Sequence, residues 1–385
     1  MNDSDAGPGS RRAKAFVFAG GGTGGHIYPS LAIIEELKAI DPSCSVHILC
    51  SQRAIDRQIL EQEAIEFTPI PAMPVSTKPK GLIKFITSWG PSIRATRERI
   101  RAYKQASKDV VLVAMGGFVA APAARGGHCE RVPVCLVNLD AVPGKANVLI
   151  AKKAQVKISA TPIAGFESWE RVPPIVRRSM SDGEQAMSTS DARASFGLDP
   201  ATKTLLITGG SQGAASITGF VRTMVEQCPE AFAGWQVIHQ VGRLMSDADL
   251  DALRAVYQSA KINAWVERYI DGMGPALAAA DLAIGRCGAG TVAECWGAKV
   301  PAVFFPYPYH KDEHQKHNAQ VLVDAGSAMV LTDQIEPSEN FALHGEAIAQ
   351  LLQGDDARQR MQEGFDDLGA PDGASRIAER LLAIG

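Results

Sequence analysis

The sequence lacks several features that mark specialised protein classes. Aromatic residues are only 6% of its 385 residues, and its seven cysteines form an odd set without a C-x-x-C pair. The cysteines therefore indicate neither a disulfide framework nor a zinc site, and a reducing cytoplasm is expected. The formal net charge is only −3. The marked basic excess typical of a nucleic-acid-binding domain is missing, so no nucleic-acid partner is expected.

Long hydrophobic runs are also missing. The best candidate, residues 110–124, is interrupted by Gly116, Gly117 and Pro122, so no membrane-spanning helix is predicted. Residues 1–14 are polar and have no apolar segment behind them. They are interpreted as a disordered tail and not as a signal peptide.

What the sequence does contain is a repeated α/β pattern. Apolar runs without polar alternation, such as "AFVFA", "VVLVAM" and "TLLITG", are each followed by a helical pattern. Such runs predict parallel sheets covered on both faces. The strand and Gly-rich turn of residues 15–33 recur at 204–217, which predicts two doubly wound domains. We expect them to span 15–177 and 178–360, with a helix in 361–385 crossing back to the first.

The first Gly-rich turn permits three interpretations. Gly20, Gly22 and Gly25 satisfy G-x-G-x-x-G, but a dinucleotide site also needs an acidic residue after the second strand, where the chain has residues 51–53, "SQR". A tight turn without a ligand is the second interpretation. The third is a phosphate group facing the backbone, and the excess of glycine favours it, because a turn alone does not require so many.

His26 follows this turn, in the predicted first turn of a helix. The positive end of the helix dipole disfavours the charged imidazolium, which leaves a neutral ring that is able to act as a general base. A capping or packed histidine is the alternative.

A third Gly-rich element runs from residue 281 to 301, again as strand, turn and helix. Free backbone N–H groups at such a helix start can hold a diphosphate without a metal. Glu294, one turn into this helix, is placed to accept hydrogen bonds from ribose hydroxyls, or is simply a solvated acid. The backbone predicted to hold the diphosphate belongs to Ala289, Gly290, Thr291, Val292 and Ala293.

Residues 307–319, "YPYHKDEHQKHNA", concentrate histidine and amide side chains. His310 and His314 are spaced i, i+4, but the glutamate of an H-E-x-x-H motif is missing, so zinc is not indicated. Gln315 and Asn318 instead suit sugar hydroxyls. The D-x-D of residues 246–253 is interpreted as a capped helix start and not as a metal site. No metal is therefore expected.

Residues 78–104 carry eight Lys or Arg and one acid, interleaved with Leu82, Ile83, Ile86 and Trp89. This combination favours the headgroup region of an anionic membrane. A solvated basic helix that packs its apolar side on the sheet is the alternative.

Five motifs, in this order and spacing, resemble the MurG family: "GGTGGHIYPSLA", "MGGFVAAP", "GGSQGA", "RCGAGTVAE" and "HKDEHQKHNA". The resemblance covers the chain from about residue 15 onward. It implies a GT-B fold and transfer of N-acetylglucosamine from UDP-N-acetylglucosamine to the diphosphate-linked muramyl lipid called lipid I, without a cofactor. It also implies a peripheral enzyme on the cytoplasmic face of the plasma membrane.

The resemblance further assigns individual residues. It implies that the first domain holds the acceptor, with His26 near the reacting hydroxyl, and that the second holds the UDP-sugar. The residues it implies for the acceptor and sugar side are Thr23, Gly24 and Gly25, and those for the nucleotide sugar are Arg177, Ser211, Ile270 and Gln315.

The sequence departs from the family at two sites. One is residues 173–175, "PPI", where the family has "GNP" ahead of the arginine. Where the family has "HEQN", this chain has residues 137–140, "VNLD", so Asn138 and Asp140 replace a glutamate and a sugar-contacting asparagine. Asn138 is expected to contact substrate. A neutral amide is no general base, which leaves Asp140 as the second candidate after His26. The alternatives are a transferase with another lipid acceptor, a UDP-sugar epimerase, and a degenerate subunit that only binds UDP-sugar.

Overall fold

A computed structural model describes residues 12–22, 24–180, 187–210, 213–309 and 314–384. Within these ranges the chain forms two parallel sheets with helices on both faces. The α/β class predicted from the apolar runs is confirmed. No described helix combines the length and the apolar character that crossing a bilayer requires.

The first sheet has the strand order β3-β2-β1-β4-β5-β6-β7 in the described chain. Its strands are β1 Lys14–Ala19, β2 Ser45–Cys50, β3 Phe67–Pro69, β4 Asp109–Ala114, β5 Val134–Asn138, β6 Val156–Ser159 and β7 Glu170–Arg171. Its helices are α1 Gly24–Ile40, α2 Ala54–Gln62, α3 Pro79–Gln105, α4 Gly117–Cys129 and α5 Lys145–Ala151.

The second sheet has the order β10-β9-β8-β11-β12-β13 in the described chain. Its strands are β8 Lys203–Thr208, β9 Trp235–Gln240, β10 Ala264–Glu267, β11 Leu282–Gly285, β12 Ala302–Phe304 and β13 Ala328–Val330. Its helices are α6 Thr189–Ser195, α7 Ala215–Gln227, α8 Asp247–Ser259, α9 Met273–Ala279, α10 Ala289–Gly297, α11 His314–Asp324, α12 Pro337–Gln353 and α13 Asp355–Glu363. Short 3₁₀ turns are Arg178–Met180, Pro229–Phe232 and Asp366–Leu368.

Burial along β1 shows why its sequence does not alternate with polar residues. Phe16 and Phe18 join the apolar core on one face of the first sheet, whereas Val17 joins the core on the other face. All three are fully buried. Lys14 pairs with Asp109 of β4, so the strand begins inside the predicted tail of residues 1–14, of which 1–11 lie outside the described residues.

The last helix, α14 Gly373–Leu382, packs against the first sheet's helical layer. Its Ile377 and Leu381 belong to the same apolar core as Phe16 and Phe18. Gly373 lies where the chain crosses residues 173–174, and a Cβ on it would approach Pro173 O to 2.0 Å. The two connections between the sheets therefore contact each other directly.

Candidate active site

The first Gly-rich turn is held by a buried carboxylate. Asp56 Oδ2 accepts hydrogen bonds from Gly22 N at 2.7 Å, Ser51 N at 3.0 Å and Ser51 Oγ at 2.6 Å. A Cβ on Gly21 would lie 2.5 Å from the same oxygen, so the turn needs glycine at that position. Asp56 is fully buried. This acid supports the turn and is closed to a ribose, which argues against the dinucleotide interpretation.

His26 lies in the first turn of α1, with its ring against the loop that follows β4. Ideal Cβ positions on Gly116 and Gly117 would lie 3.2 Å from His26 Nε2 and 3.3 Å from His26 Cε1. The Nδ1 atom is buried and has no hydrogen-bond partner within the described chain. Burial lowers the pKa of His26, while Asp140 and Asp56 oppose that shift. The lowered pKa favours the neutral ring, which is the form that a general base requires.

Asp140, the second candidate base, lies where the two sheets' loops meet. Its Oδ1 accepts a hydrogen bond from Asn318 Nδ2 at 3.1 Å, and Ala141 N donates to Asn318 Oδ1 at 2.8 Å. Asn318 is on α11 of the second sheet and is 1% exposed. The loop after β5 and helix α11 are therefore joined across the cleft, close enough to His26 for the Asp140 charge to affect its pKa.

Asn138, expected to contact substrate, is fully buried at the end of β5. Its Nδ2 donates to Asp140 O at 2.7 Å and Ser159 Oγ at 3.2 Å, and its Oδ1 accepts from Asn147 Nδ2 at 2.8 Å. The expectation of direct contact needs correction, because the side chain has no exposed surface. Asn138 supports the loop that carries Asp140.

The N-terminus of α10, where the sequence predicts diphosphate binding, is uncovered. Gly288 precedes it without a side-chain cap, and added Cβ atoms on Gly288 or Gly290 would meet no atom within 4 Å. The first backbone N–H groups are left for a ligand, and the helix dipole favours an anionic one. Burial raises the pKa of Glu294 to about 7, and its carboxyl makes no hydrogen bond to any described residue.

The other predicted donor-site residues fall around this helix. Ala289, Gly290, Thr291 and Ala293 are partly exposed on α10, whereas the Val292 side chain is buried. Gln315, at the start of α11, accepts a hydrogen bond from Tyr307 N at 2.9 Å. The Ile270 side chain is 4% exposed in the loop after β10, which leaves only its backbone for a ligand. Gly24 and Gly25 start α1, and Thr23 and Ser211 lie outside the described residues.

Arg177, expected at the nucleotide sugar, binds two glutamates of the first sheet's helical layer. Its Nε donates to Glu35 Oε1 at 2.7 Å and its Nη2 to Glu63 Oε2 at 3.0 Å. The adjacent Arg178 Nε pairs with Glu36 at 2.6 Å. These ion pairs occupy the Arg177 guanidinium and anchor the connection between the sheets, so the placement differs from the expectation.

A tyrosine pair across the cleft was missed by the sequence reasoning. The hydroxyls of Tyr28 on α1 and Tyr269 in the loop after β10 lie 3.0 Å apart. The Arg243 guanidinium is 4.0 Å from the centre of the Tyr269 ring. Burial and the Tyr269 contact raise the pKa of the Tyr28 hydroxyl. No sequence pattern links residues 241 positions apart, so only the fold reveals this pair.

The basic helix α3 divides into two halves. Toward its C-terminus, Thr96 and Ile100 are buried against the rest of the first sheet. Near its N-terminus, Leu82 is 43% exposed, and Ile83 and Ile86 are each 61% exposed. The second half of the helix therefore packs on the sheet, as the alternative expected, whereas its first half leaves an apolar surface uncovered. Contact of that surface with a membrane stays a prediction.

Comparison with known proteins places the chain among glycosyltransferases. The model of the glycosyltransferase family 28 N-terminal domain matches residues 16–157, and that of the C-terminal domain matches 204–377. An enzyme of Mycolicibacterium smegmatis named UDP-N-acetylglucosamine–N-acetylmuramyl-(pentapeptide) pyrophosphoryl-undecaprenol N-acetylglucosamine transferase is 35% identical, over 97% of this chain and 95% of its own. A protein of the same name from Clavibacter michiganensis is 34% identical, over 94% and 95%.

Solved structures agree. The crystal structure of Acinetobacter baumannii MurG aligns with a TM-score of 0.66 and 25% identity, covering 97% of this chain and all of that one. A solved structure from Listeria monocytogenes that bears the name UDP-N-acetylglucosamine 2-epimerase aligns with a TM-score of 0.62 at 15% identity. It covers 97% of this chain and 96% of that one, and this likeness shows the fold alone. Because both family models match and the relatives are covered over nearly their whole length, the chain belongs to the MurG family of GT-B glycosyltransferases.

Proposed function

We propose that the protein is an inverting transferase that moves N-acetylglucosamine from UDP-N-acetylglucosamine to the C4 hydroxyl of the muramyl sugar of lipid I, forming lipid II for peptidoglycan. The observation that carries the proposal is that α1, with His26 in its first turn, contacts α10, whose N-terminus has no side-chain cap. The names of its relatives support the donor and the acceptor.

The proposed reaction divides between the two sides of the cleft. His26 Nε2 takes the proton of the acceptor hydroxyl as its oxygen bonds to the anomeric carbon, and the bond from that carbon to the diphosphate breaks. UDP leaves with the electron pair. The backbone N–H groups at the start of α10 stabilise the charge that develops on the leaving diphosphate. Asp140 is the second candidate for the base.

We assign substrate binding to two parts of the chain. Residues 15–177 would hold the acceptor and 178–360 the UDP-sugar, while 361–385 return to the first part. The core shared by α14 and β1 supports this division. On the donor side, Glu294 would accept from the ribose and the Ile270 backbone would contact the uracil, supported by the free carboxyl and the buried side chain, respectively.

The first half of α3 is the proposed membrane contact, at the cytoplasmic face of the plasma membrane. Ile83 and Ile86 expose apolar surface among basic side chains, a combination that favours an anionic headgroup layer. We expect Ile83→Ser/Ile86→Ser to reduce binding to vesicles of anionic phospholipid. The matched control is Leu343→Ser, because Leu343 is also 61% exposed but lies on α12 of the second sheet. Equal binding by both variants would contradict the assignment.

Transfer of radiolabelled N-acetylglucosamine from its UDP donor to a soluble lipid I analogue tests the activity. Product is expected from the wild type and from a His128→Ala control at the far end of α4, and is expected to be lost in His26→Ala. Asp140→Asn separates the two bases, because loss of product there with His26 intact would assign the base to Asp140. UDP binding without product from any acceptor would instead support a binding-only subunit.

A further inference from the structure

The orientation of two buried amides beside His26 is fixed by a backbone carbonyl. Asn138 Nδ2 donates to Asp140 O at 2.7 Å, and because a carbonyl oxygen only accepts, that side-chain atom must be the nitrogen. The remaining atom, Asn138 Oδ1, must therefore accept from Asn147 Nδ2, at 2.8 Å. It follows that Asn147 Oδ1 is turned away from Asn138.

Asn147 Oδ1 lies beside Gly116, in the loop that also borders the His26 ring. Asn147 lies on α5 and is 7% exposed, and its Oδ1 is buried without a hydrogen-bond partner among the described residues. This oxygen and His26 Nε2 lie 3.1 Å and 3.2 Å from the point that a Cβ on Gly116 would occupy. A buried carbonyl oxygen left unpaired is costly, so its position next to the candidate base indicates a hydrogen-bond donor supplied by a ligand.

We propose that Asn147 Oδ1 accepts a hydrogen bond from a hydroxyl of the acceptor sugar next to the reacting one, and that Asn138 is the positioning residue that holds it there. This role rests on the proposed function. It also gives a reason for the amide at 138, since an ionised glutamate, which the related family has there, cannot donate to Asp140 O. The replaced residue thus orients a neighbour and does not itself take a proton.

Kinetics with UDP-N-acetylglucosamine and the soluble lipid I analogue test the assignment. Asn147→Leu removes the carbonyl, and Asn138→Leu removes the group that orients it. Each is expected to raise the KM for the acceptor about 2- to 10-fold, as loss of one hydrogen bond implies, with the KM for the donor unchanged. The double variant is expected to be no worse than either single one, because both changes remove the same contact.

Ser159→Ala is the matched control. Ser159 Oγ accepts a hydrogen bond from Asn138, but a hydroxyl can also donate, so this contact does not decide which side-chain atom of Asn138 is the nitrogen. The acceptor KM of Ser159→Ala is expected to equal that of the wild type. An unchanged acceptor KM in Asn147→Leu, or donor and acceptor KM values that rise together, would overturn the role, and Asn147→Leu keeps the test decisive should Asn138→Leu not fold.

A readout without turnover separates this inference from the proposed function. The Asn147 side-chain amide protons, identified in NMR spectra by their loss in Asn147→Leu, are expected to exchange slowly in the wild type and in Ser159→Ala, and faster in Asn138→Leu. Equal exchange in all three would overturn the positioning by Asn138. Slow exchange in a wild type that transfers no sugar would count against the proposed function and not against the amide orientation.

Discussion

Gly116→Ala tests whether the loop after β4 sets the position of His26. Gly116 has φ 101° and ψ −173°, a conformation open almost only to glycine. Forcing alanine into it costs about 1–3 kcal/mol of folding free energy. The added Cβ would also lie 3.2 Å from His26 Nε2 and 3.1 Å from Asn147 Oδ1, so these groups must shift by a few tenths of an ångström.

A shift of that size in His26 should lower the rate of the reaction. Misplacing a reacting group by 1 Å costs on the order of 100-fold in rate, so a few tenths of an ångström should lower kcat about tenfold. Gly165→Ala is the control, because Gly165 also has a positive φ of 79° but a Cβ there would meet no atom within 4 Å. We expect both variants to unfold at lower urea concentrations and only Gly116→Ala to lose kcat.

The assay is transfer to the soluble acceptor analogue at a temperature where both variants are folded, as judged by circular dichroism. A Gly116→Ala enzyme with the kcat of the wild type would refute the reasoning, since the Cβ would then not disturb His26. An equal loss of kcat in Gly165→Ala would also refute it, because that loss would follow from stability alone.

Two further predictions concern groups on the two sides of the cleft. Burial raises the pKa of Glu294 from 4.5 to about 7, so the folded state holds an extra proton between these values. The free energy of unfolding should therefore fall as pH rises through this window. Urea unfolding at about pH 5 and about pH 8 should show a smaller fall in Glu294→Gln than in the wild type. Equal falls in the two proteins would contradict the burial argument. Tyr28→Phe removes one hydroxyl of the pair with Tyr269. Loss of that hydrogen bond should lower the equilibrium constant between the closed and the open cleft about 2- to 10-fold, which small-angle scattering would detect as a larger radius of gyration. An unchanged radius would show that the pair does not hold the cleft closed.

Much of the fold follows from local sequence. Val17 and its neighbours in β1 read as an apolar run without alternation because both faces of a parallel strand are buried, and the structure places them in two cores. The weakest strands were harder to predict. The edge strands Phe67–Pro69 and Glu170–Arg171 are short, and their polar and proline residues give no strand signal.

The sequence predicts which residue types line the candidate site better than it predicts which residues they contact. The open start of α10 lies where the Gly-rich pattern predicted it, because a helix N-terminus is a local feature. Arg177 differs: nothing near it in sequence indicates that Glu35 and Glu63 would bind its guanidinium. An arginine's partners depend on which helices the fold brings beside it.

By itself, then, the sequence determined the parallel α/β architecture, the Gly-rich turns and the family, since each is recorded in the spacing of residues close together in the chain. Only the tertiary structure decided that Asn138 is buried, that Asp140 pairs with Asn318 across the cleft, and that Tyr28 meets Tyr269. The physical reason is that hydrogen bonds between distant segments depend on the packing of both sheets, which no local pattern of residues specifies.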